Sequence, residues 1–415
     1  MPEVSTPNNG FEDFYAIIPA GGTGSRLWPL SRGARPKFLY DLMGSGRTLI
    51  QSTFDRLARL AGPDRIVVST GWRHVAAVEA QLPELKESNI FAEPVPRDST
   101  AAIALATAIL ARRHGEQIVV GSFAADHVIR GKDSFAEAVR QAVAAARAGY
   151  VTTIGIAASR PSTAFGYIHQ GRSLGSEIPG APNARLVERF VEKPDSATAQ
   201  AYLSTGEYRW NAGMFVMRAD VLLNHLREYK PEMYDAISHI ADAYMSVDND
   251  GDAESARNAE IAAARYAAQG VVDAESSDVD SDAIDEAMAT YWPSIEKIAF
   301  DYAVAEPLSV AGGVAMVPGD FGWDDIGDFN SVAALLPSTG ARNIKILGDT
   351  DKVVSLDSAG DVVMPLSDRT IALLGVNDMV IADTPDALMI APRARSQEVK
   401  DMVAYLDREG RDDIL

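Results

Sequence analysis

The side chains best suited to chemistry stand close to a glycine-rich run, Gly21-Gly22-Thr23-Gly24-Ser25-Arg26-Leu27, with Lys37 following in Arg35-Pro36-Lys37. Glycines let a backbone turn tightly and bring its N–H groups close to an anion, because no Cβ intervenes. A helix beginning after the run would add its positive N-terminal end. Two unit charges about 4 Å apart repel by roughly 4 kcal/mol at a surface-like dielectric, so bringing anionic phosphates together needs cations nearby. Arg26 and Lys37, flanking a backbone nest, suit a triphosphate. The dinucleotide fingerprint fails, since Leu27 stands where its last glycine belongs. No G-x-x-x-x-G-K-S/T string occurs. Read alone, the run also fits a plain strand–helix turn with exposed basic residues.

Two aspartates are the candidates to hold a cation. Asp126 follows the strand-like Val119-Val120-Gly121-Ser122-Phe123-Ala124-Ala125, where open α/β sheets place ligand-binding residues. Asp325 lies in the glycine-flanked turn Gly322-Trp323-Asp324-Asp325-Ile326-Gly327. Magnesium takes one or two carboxylates and completes its octahedron with phosphate oxygens and water, so two distant aspartates can serve one ion. On spacing alone, Asp126 also reads as a helix cap or surface turn, and Asp325 as an ordinary turn acid. There is no cysteine, and the six histidines never fall at H-x-x-x-H spacing, so any metal should be a hard cation held by oxygen. Asp248-Asn249-Asp250-Gly251-Asp252 begins like a calcium loop, but Ala253 and Ala259 stand where glycine and glutamate belong, and a charged surface loop fits better. No G-x-S-x-G elbow is present.

The elements that must position these residues alternate. Apolar runs predict strands at Phe14–Ala20, Arg65–Thr70, Gln117–Phe123 and Val151–Ile156, and helical spacing predicts helices at Thr48–Ala61, Ala101–Arg113 and Phe135–Ala148. Such alternation indicates an α/β domain with a mostly parallel sheet. Residues 160–195 read as extended segments with turns, followed by a short helix at Ala197–Leu203. From about Asn343, short β-like runs separated by turn residues predict a small all-β module, closed by a helix from Ser396 to about Arg408.

Composition narrows the classes. With 47% hydrophobic and 23% charged residues in 415, the chain has the make-up of a globular enzyme of more than one domain. The net charge of −20 argues against non-specific nucleic-acid binding. Half of that excess sits in residues 246–290, with 12 acidic and 2 basic side chains, which we read as a solvated helical excursion in preference to a mobile loop. The polar first residues do not form a signal peptide, and Ala101–Ala111, the longest apolar stretch, is too short to span a bilayer. The expectation is a cytoplasmic protein with no membrane partner.

The string Ile18-Pro19-Ala20-Gly21-Gly22-Thr23-Gly24-Ser25-Arg26-Leu27-Trp28-Pro29-Leu30-Ser31-Arg32, followed by Pro36-Lys37, resembles the signature of sugar-phosphate nucleotidyltransferases. It looks most like that of the bacterial mannose-1-phosphate guanylyltransferases. Further segments match in order: Glu93-Pro94 with Arg97-Asp98-Ser99-Thr100-Ala101-Ala102, Ala125-Asp126-His127, Phe165-Gly166-Tyr167-Ile168, Glu192-Lys193-Pro194, Trp210-Asn211-Ala212-Gly213-Met214-Phe215, and the turn holding Asp325. The resemblance spans roughly residues 14–395. The chain departs from the usual pattern in three places: Ser25 replaces a threonine, Phe38 follows Lys37 where a glutamine is common, and Arg97-Asp98-Ser99 replaces Arg-Asn-Thr.

The resemblance implies a Rossmann-like nucleotidyltransferase domain over 14–340 and a short left-handed β-helix over 341–415. It also implies transfer from GTP to α-D-mannose 1-phosphate with Mg²⁺, giving GDP-mannose and pyrophosphate. Ala20, Gly21, Gly22, Thr23, Gly24 and Ser25 would surround the nucleotide, with Arg26 on its outer phosphates and Lys37 near the α-phosphate. Glu93, Arg97, Asp98 and Ser99 would meet the base. Lys193 would hold the sugar phosphate, Gly166, Glu192 and Asn211 the sugar, and Asp126 and Asp325 the metal. A homo-oligomer, a dimer, is the expected assembly. The alternatives are another pair, such as glucose 1-phosphate with UTP or dTTP, and a non-catalytic nucleotide-sugar-binding subunit.

Overall fold

The structure is a computed structural model and describes residues 10–248, 282–338 and 342–415. Most of the acidic stretch, residues 249–281, lies outside the described residues, as does the calcium-like string beyond Asp248. The chain packs as two compact units, each discontinuous in sequence. One comprises Met1–Gly21, Thr53–Ala124 and Ile129–Trp323; the other comprises Gly22–Ser52, Ala125–Val128 and Asp324–Leu415. Packing therefore does not follow a single linear cut near residue 340. Residues 22–27 of the glycine-rich run and the Asp126 turn belong with the C-terminal part of the chain.

The larger unit is built on a mixed sheet. Its strands are β1 (Phe14–Ala20), β2 (Ile66–Gly71), β3 (Ile90–Glu93), β4 (Val119–Ser122), β6 (Val151–Ala157), β7 (Tyr167–Ser173), β8 (Arg185–Val191), β9 (Tyr208–Arg218) and β10 (Val314–Gly319), while β5 is the short Val128–Ile129. Their order is β3-β2-β1-β4-β9-β6-β10-β8-β7. The parallel run is β3-β2-β1-β4, and β6 and β10 are also parallel. The long β9 enters antiparallel to β4, β6 and β7, so the run of strands joined by helical crossovers, β3-β2-β1-β4, is the longest continuous parallel stretch. Those crossovers are α1 (Leu49–Ala61), α2 (Val75–Gln81) and α3 (Asp98–His114). Farther along the chain come α4 (Lys132–Arg147), α5 (Ser196–Thr205), α6 (Ala219–Tyr229) and α7 (Pro231–Asp248).

In α3, every residue from Thr100 to Ala111 is buried. A helix that is apolar all round belongs inside a protein. Its alanines let it lie close between the sheet and the helices α6 and α7, with which it shares one hydrophobic core. Strand order reverses between β1 and β4, and sheets of this kind bind ligands beyond the carboxyl ends of strands at such a switch point. Ala20 ends β1 and Glu93 ends β3, so two of the expected nucleotide-binding residues stand at carboxyl ends.

The smaller unit contains a coil of short strands. Lys345 pairs in parallel with Val362 and Val362 with Val380, so successive turns of chain take 17 and then 18 residues. A second ladder pairs Val353–Leu356 with Ile371–Leu374, also in parallel. Parallel rungs at nearly constant spacing are the mark of a β-helix. Leu388–Pro392 closes it antiparallel, and a helix, Val399–Arg408, follows. Leu27, Trp28, Leu30, Leu42 and Leu49 share this unit's core with Ile326, Phe329, Val362 and Val380. Among the described residues, no helix is long and apolar enough to cross a membrane.

Candidate active site

In the smaller unit, the glycine-rich run, Lys37, Asp126 and Asp325 form one knot. Lys37 carries a side chain only 7% exposed, and its Nζ lies 2.7 Å from Asp126 Oδ2. The same ammonium donates to the carbonyl oxygens of Asp325 at 2.7 Å and Ile326 at 3.2 Å. An ammonium has three protons, and here all three have acceptors. A buried charge is tolerated only with such compensation.

Local backbone geometry serves this arrangement. Gly24 has φ +73°, and a Cβ there would stand 2.8 Å from the Lys37 Cβ, so the loop needs glycine both for its conformation and for the lysine's approach. The Ser31 hydroxyl ties the Gly24 carbonyl back into the loop. Ile326, a β-branched residue, is held at φ +45°, an unfavourable conformation of the kind that clusters at functional sites. Its N–H donates to Asp324 Oδ1 at 2.7 Å. The strained turn thereby presents two successive carbonyls to Lys37 and places the Asp325 carboxylate beside Gly327, where a Cβ would come within 3.2 Å.

The two aspartates are pushed in opposite directions. Burial works to raise the Asp126 pKa, but the positive charges of Lys37 and His127 and the Lys37 hydrogen bond outweigh it, and the carboxyl is held below its ordinary value. Burial raises that of Asp325, helped by the like charges of Asp324 and Asp126, against the pull of Lys37 and His127. Two carboxylates that repel each other beside a single buried lysine are under-neutralised. Their hard oxygens fit a divalent cation of the kind that takes one or two carboxylates and fills its shell with phosphate and water. Among the described residues, no group of three or more His, Asp or Glu side chains forms a metal cage.

Ser25–Leu27 forms one 3-10 turn, and one turn carries no appreciable macrodipole, so any anion must be met by N–H groups and side chains alone. Gly21, Gly22 and Thr23 are exposed, and no neighbour among the described residues crowds the α-carbons of Gly21 and Gly22. Arg26 is half-buried, and among the described residues its Nε has no hydrogen-bond partner, a donor left available for a ligand.

In the larger unit, the expected base and sugar residues form two groups. Glu93 accepts from the Ser69 hydroxyl at 2.8 Å, and burial pushes its pKa up to about 7 against that bond. Arg97, whose Nη2 donates to the Pro293 carbonyl at 2.8 Å, has a buried Nε with no partner among the described residues. Asp98 is exposed at φ +66°, and its Oδ1 accepts from the Ser99 N–H at 2.8 Å. Aspartate and asparagine tolerate that conformation best, which accounts for the residue type at this position in backbone terms. The Ser99 hydroxyl accepts from the Phe300 N–H at 2.9 Å.

The sugar group centres on Asn211. Its Oδ1 accepts from the Thr153 hydroxyl at 2.6 Å and the Gly213 N–H at 3.1 Å, and its Nδ2 donates to Asp301 Oδ1 at 2.8 Å. The Asn211 N–H donates to the Gly166 carbonyl at 2.8 Å. A Cβ on Gly166 would fall 2.4 Å from Glu192 Oε2, so glycine there makes room for that carboxylate. Lys193, at φ +46°, lies 2.7 Å from Glu192 Oε1, with the glutamate 7% and the lysine 57% exposed. The structure thus brings Gly166, Glu192, Lys193 and Asn211 together. It adds Asp301 and Thr153, which sequence reasoning missed. Asp301 stands in Ala299-Phe300-Asp301-Tyr302-Ala303, where the sole signal is a lone acid in an apolar run.

Comparisons with known proteins agree with this geometry. Residues 15–339 match the family model for nucleotidyl transferase, and residues 351–406 match the MannoseP isomerase/GMP-like beta-helix domain. The xanthan biosynthesis protein XanB of Xanthomonas campestris pv. campestris (strain B100) is 36% identical over 400 residues, covering 96% of this chain and 74% of that protein. The mannose-1-phosphate guanylyltransferase of Escherichia coli is 34% identical over 397 residues, covering 95% of this chain and 74% of its own. A crystal structure from Thermus thermophilus, described as a mannose-1-phosphate geranyltransferase, superposes with a TM-score of 0.74 at 28% identity over 95% of this chain and 99% of that one. Strand order, phosphate loop and sequence similarity over nearly the full length converge, and the chain belongs to the nucleotidyl transferase family.

Proposed function

We propose that the chain transfers a guanylyl group from GTP to α-D-mannose 1-phosphate, giving GDP-mannose and pyrophosphate. The names of its relatives support the substrate pair, and the knot around Lys37 is the observation that carries the chemistry. A phosphate monoester has a second pKa near 6, so the sugar phosphate is already an anionic nucleophile at pH ~7. Its oxygen forms a bond to the α-phosphorus as the bond from that phosphorus to the bridging oxygen of pyrophosphate breaks. No proton need move in that step. What the protein supplies is position and charge.

Exposed N–H groups of Gly21, Gly22 and Thr23, with Ala20, Gly24 and Ser25 shaping the loop, are assigned to the triphosphate. Arg26 is assigned to its outer phosphates through the unused Nε. Lys37 is assigned to the α-phosphate, a role that requires it to exchange one of its three present contacts for a phosphate oxygen. Until then it acts as a positioning group that holds the Asp126 and Asp325 segments together. Nucleotidyltransferases of this family generally use a divalent metal, and Mg²⁺ on Asp126 and Asp325 would supply neutralisation of the charge that grows on the leaving pyrophosphate. Glu93, Arg97, Asp98 and Ser99 are assigned to guanine, Lys193 to the sugar phosphate, and Gly166, Glu192 and Asn211 to mannose. The division into a catalytic stretch, 14–340, and a C-terminal module, 341–415, a left-handed sense for the β-helix, a cytoplasmic setting and a homodimer belong to the same proposal.

The test is turnover across a grid of sugar phosphates and nucleotides with pyrophosphate release as the readout. GTP with mannose 1-phosphate is expected to be the best pair. Another pair better by more than about tenfold, a gap of roughly 1.4 kcal/mol in transition-state binding, would overturn the substrate assignment.

A further inference from the structure

Asp301 has no evident structural purpose. It opens a π-helical turn, Asp301–Ala305, that runs directly into the helix Glu306–Val310. Turns of this kind are rare and are frequently found at functional sites. Among the described residues, the Asp301 carboxyl meets its own backbone N–H and accepts from one other residue, Asn211, through Nδ2. The Asn211 amide cannot be inverted, because the Gly213 N–H can only donate and so must face an oxygen. Asn211 therefore holds its N–H group toward Asp301, and its second amide proton has no acceptor among the described residues.

The surroundings disfavour a buried charge at this position. Burial and the neighbouring charge of Glu192 push the Asp301 carboxyl up to about 7, against the opposing pull of Lys193 and the Asn211 bond. Glu192 is itself buried and already paired with Lys193, while its backbone N–H is held by Glu306 Oε1 at 3.2 Å. A fold gains nothing by placing a second carboxyl against the first. The arrangement does suit a polyol. A hydroxyl is both donor and acceptor, and an acceptor oxygen on Asp301 beside the spare N–H of Asn211 offers it both partners. Glu192 with Lys193 offers a second such pair.

We propose that Asp301 is a specificity-determining residue that, together with Asn211, binds one ring hydroxyl of the hexose 1-phosphate and thereby reads its configuration. The proposal rests on the sugar-phosphate reading above and names one more contact for it. Two hexoses that differ at one ring carbon differ in whether that hydroxyl reaches the Asp301–Asn211 pair. A site built to hydrogen-bond a substrate hydroxyl rejects an analogue that cannot supply it, because its buried polar groups are then left unpaired.

The experiment compares wild type with Asp301→Asn, which keeps the shape and an acceptor for Asn211 but removes the carboxylate. KM for mannose 1-phosphate is expected to rise about tenfold or more, as for loss of a charge-assisted hydrogen bond, with KM for GTP unchanged within about twofold. The preference for mannose 1-phosphate over glucose 1-phosphate should shrink by at least about threefold, since discrimination is a difference of binding energies. Equilibrium binding of GDP and GDP-mannose provides a second readout: GDP should bind equally to both proteins, and GDP-mannose less tightly to the variant. An unchanged KM for the sugar phosphate, or a parallel loss of affinity for GTP and GDP, would overturn the proposal and assign Asp301 to the fold. If wild type fails with mannose 1-phosphate but turns over another hexose phosphate, the substrate reading falls, and the same comparison on that hexose still decides the role of Asp301.

Discussion

Two lysines divide the chemistry of this protein. Lys37 is 7% exposed, touches a carboxylate and two carbonyls, and sits between aspartates on two other segments of the smaller unit. Lys193 is 57% exposed and touches one glutamate in a group where carboxyls outnumber cations. The first environment is an electrostatic knot, stable only while its charges are matched. The second is a set of donors and acceptors with valences left over, which is what recognition of uncharged hydroxyls needs. Phosphate chemistry and sugar recognition place opposite demands on buried polar groups, and under the proposed assignment each unit of this chain meets one of them.

The comparison can be broken most severely at Lys37. Lys37→Met keeps the length of the side chain and leaves Asp126 and two carbonyls without their donor. Removing one partner of a buried pair costs about 3–5 kcal/mol, at the lower end here because Asp126 is 28% exposed. Thermal denaturation should therefore show a clear fall in Tm, with turnover lost as well. Lys193→Met removes an exposed lysine from the buried Glu192 and should cost less stability than Lys37→Met while weakening the sugar phosphate. Equal Tm values for the two variants would remove the distinction.

A smaller effect lies in pH. Asp301 and Glu93 are both held near 7 in the folded chain, against ordinary values of 3.8 and 4.5. Between those limits the folded state binds more protons than the unfolded one, so stability falls as pH rises through the window and levels off above it. Asp126 has the opposite sign and acts lower, its contribution being lost as pH falls below its ordinary value. Denaturant midpoints measured from pH ~5 to ~8 should decline in wild type and decline less in Asp301→Asn and in Glu93→Gln. An identical slope in both variants would show that these groups ionise as freely as in the unfolded chain.

The phosphate knot was largely legible in the sequence because its parts are local. Glycine spacing, a following lysine and aspartates beside strand-like runs each carry their own signal. The lysine's packing against Gly24 and the strain at Ile326 were not legible, since both are set by backbone conformations that residue type alone does not specify. The helix expected at Thr48–Ala61 is present as α1, and directly after the loop Ser25–Leu27 forms one 3-10 turn. In the sheet, periodicity found β1, β2, β4 and β6, which are continuous apolar runs. The segment around Trp210–Phe215 also reads as a strand, but the antiparallel place of β9 in the sheet was not legible because it is set by pairing with β4, β6 and β7. Asp301 was missed for a similar reason: its meaning comes from Asn211 and Glu192, 90 and more residues away.

The central claim is that Asp126 and Asp325, joined through Lys37, would hold the divalent cation that neutralises the reacting phosphates. The measurement closest to it is exchange of labelled pyrophosphate into GTP from GDP-mannose with Mg²⁺, comparing wild type with Asp126→Ala and Asp325→Ala. Exchange should fall by at least about a hundredfold in each variant, the scale for removing a group aimed at developing charge, while circular dichroism shows the fold retained. Exchange near the wild-type rate in either folded variant would contradict the account.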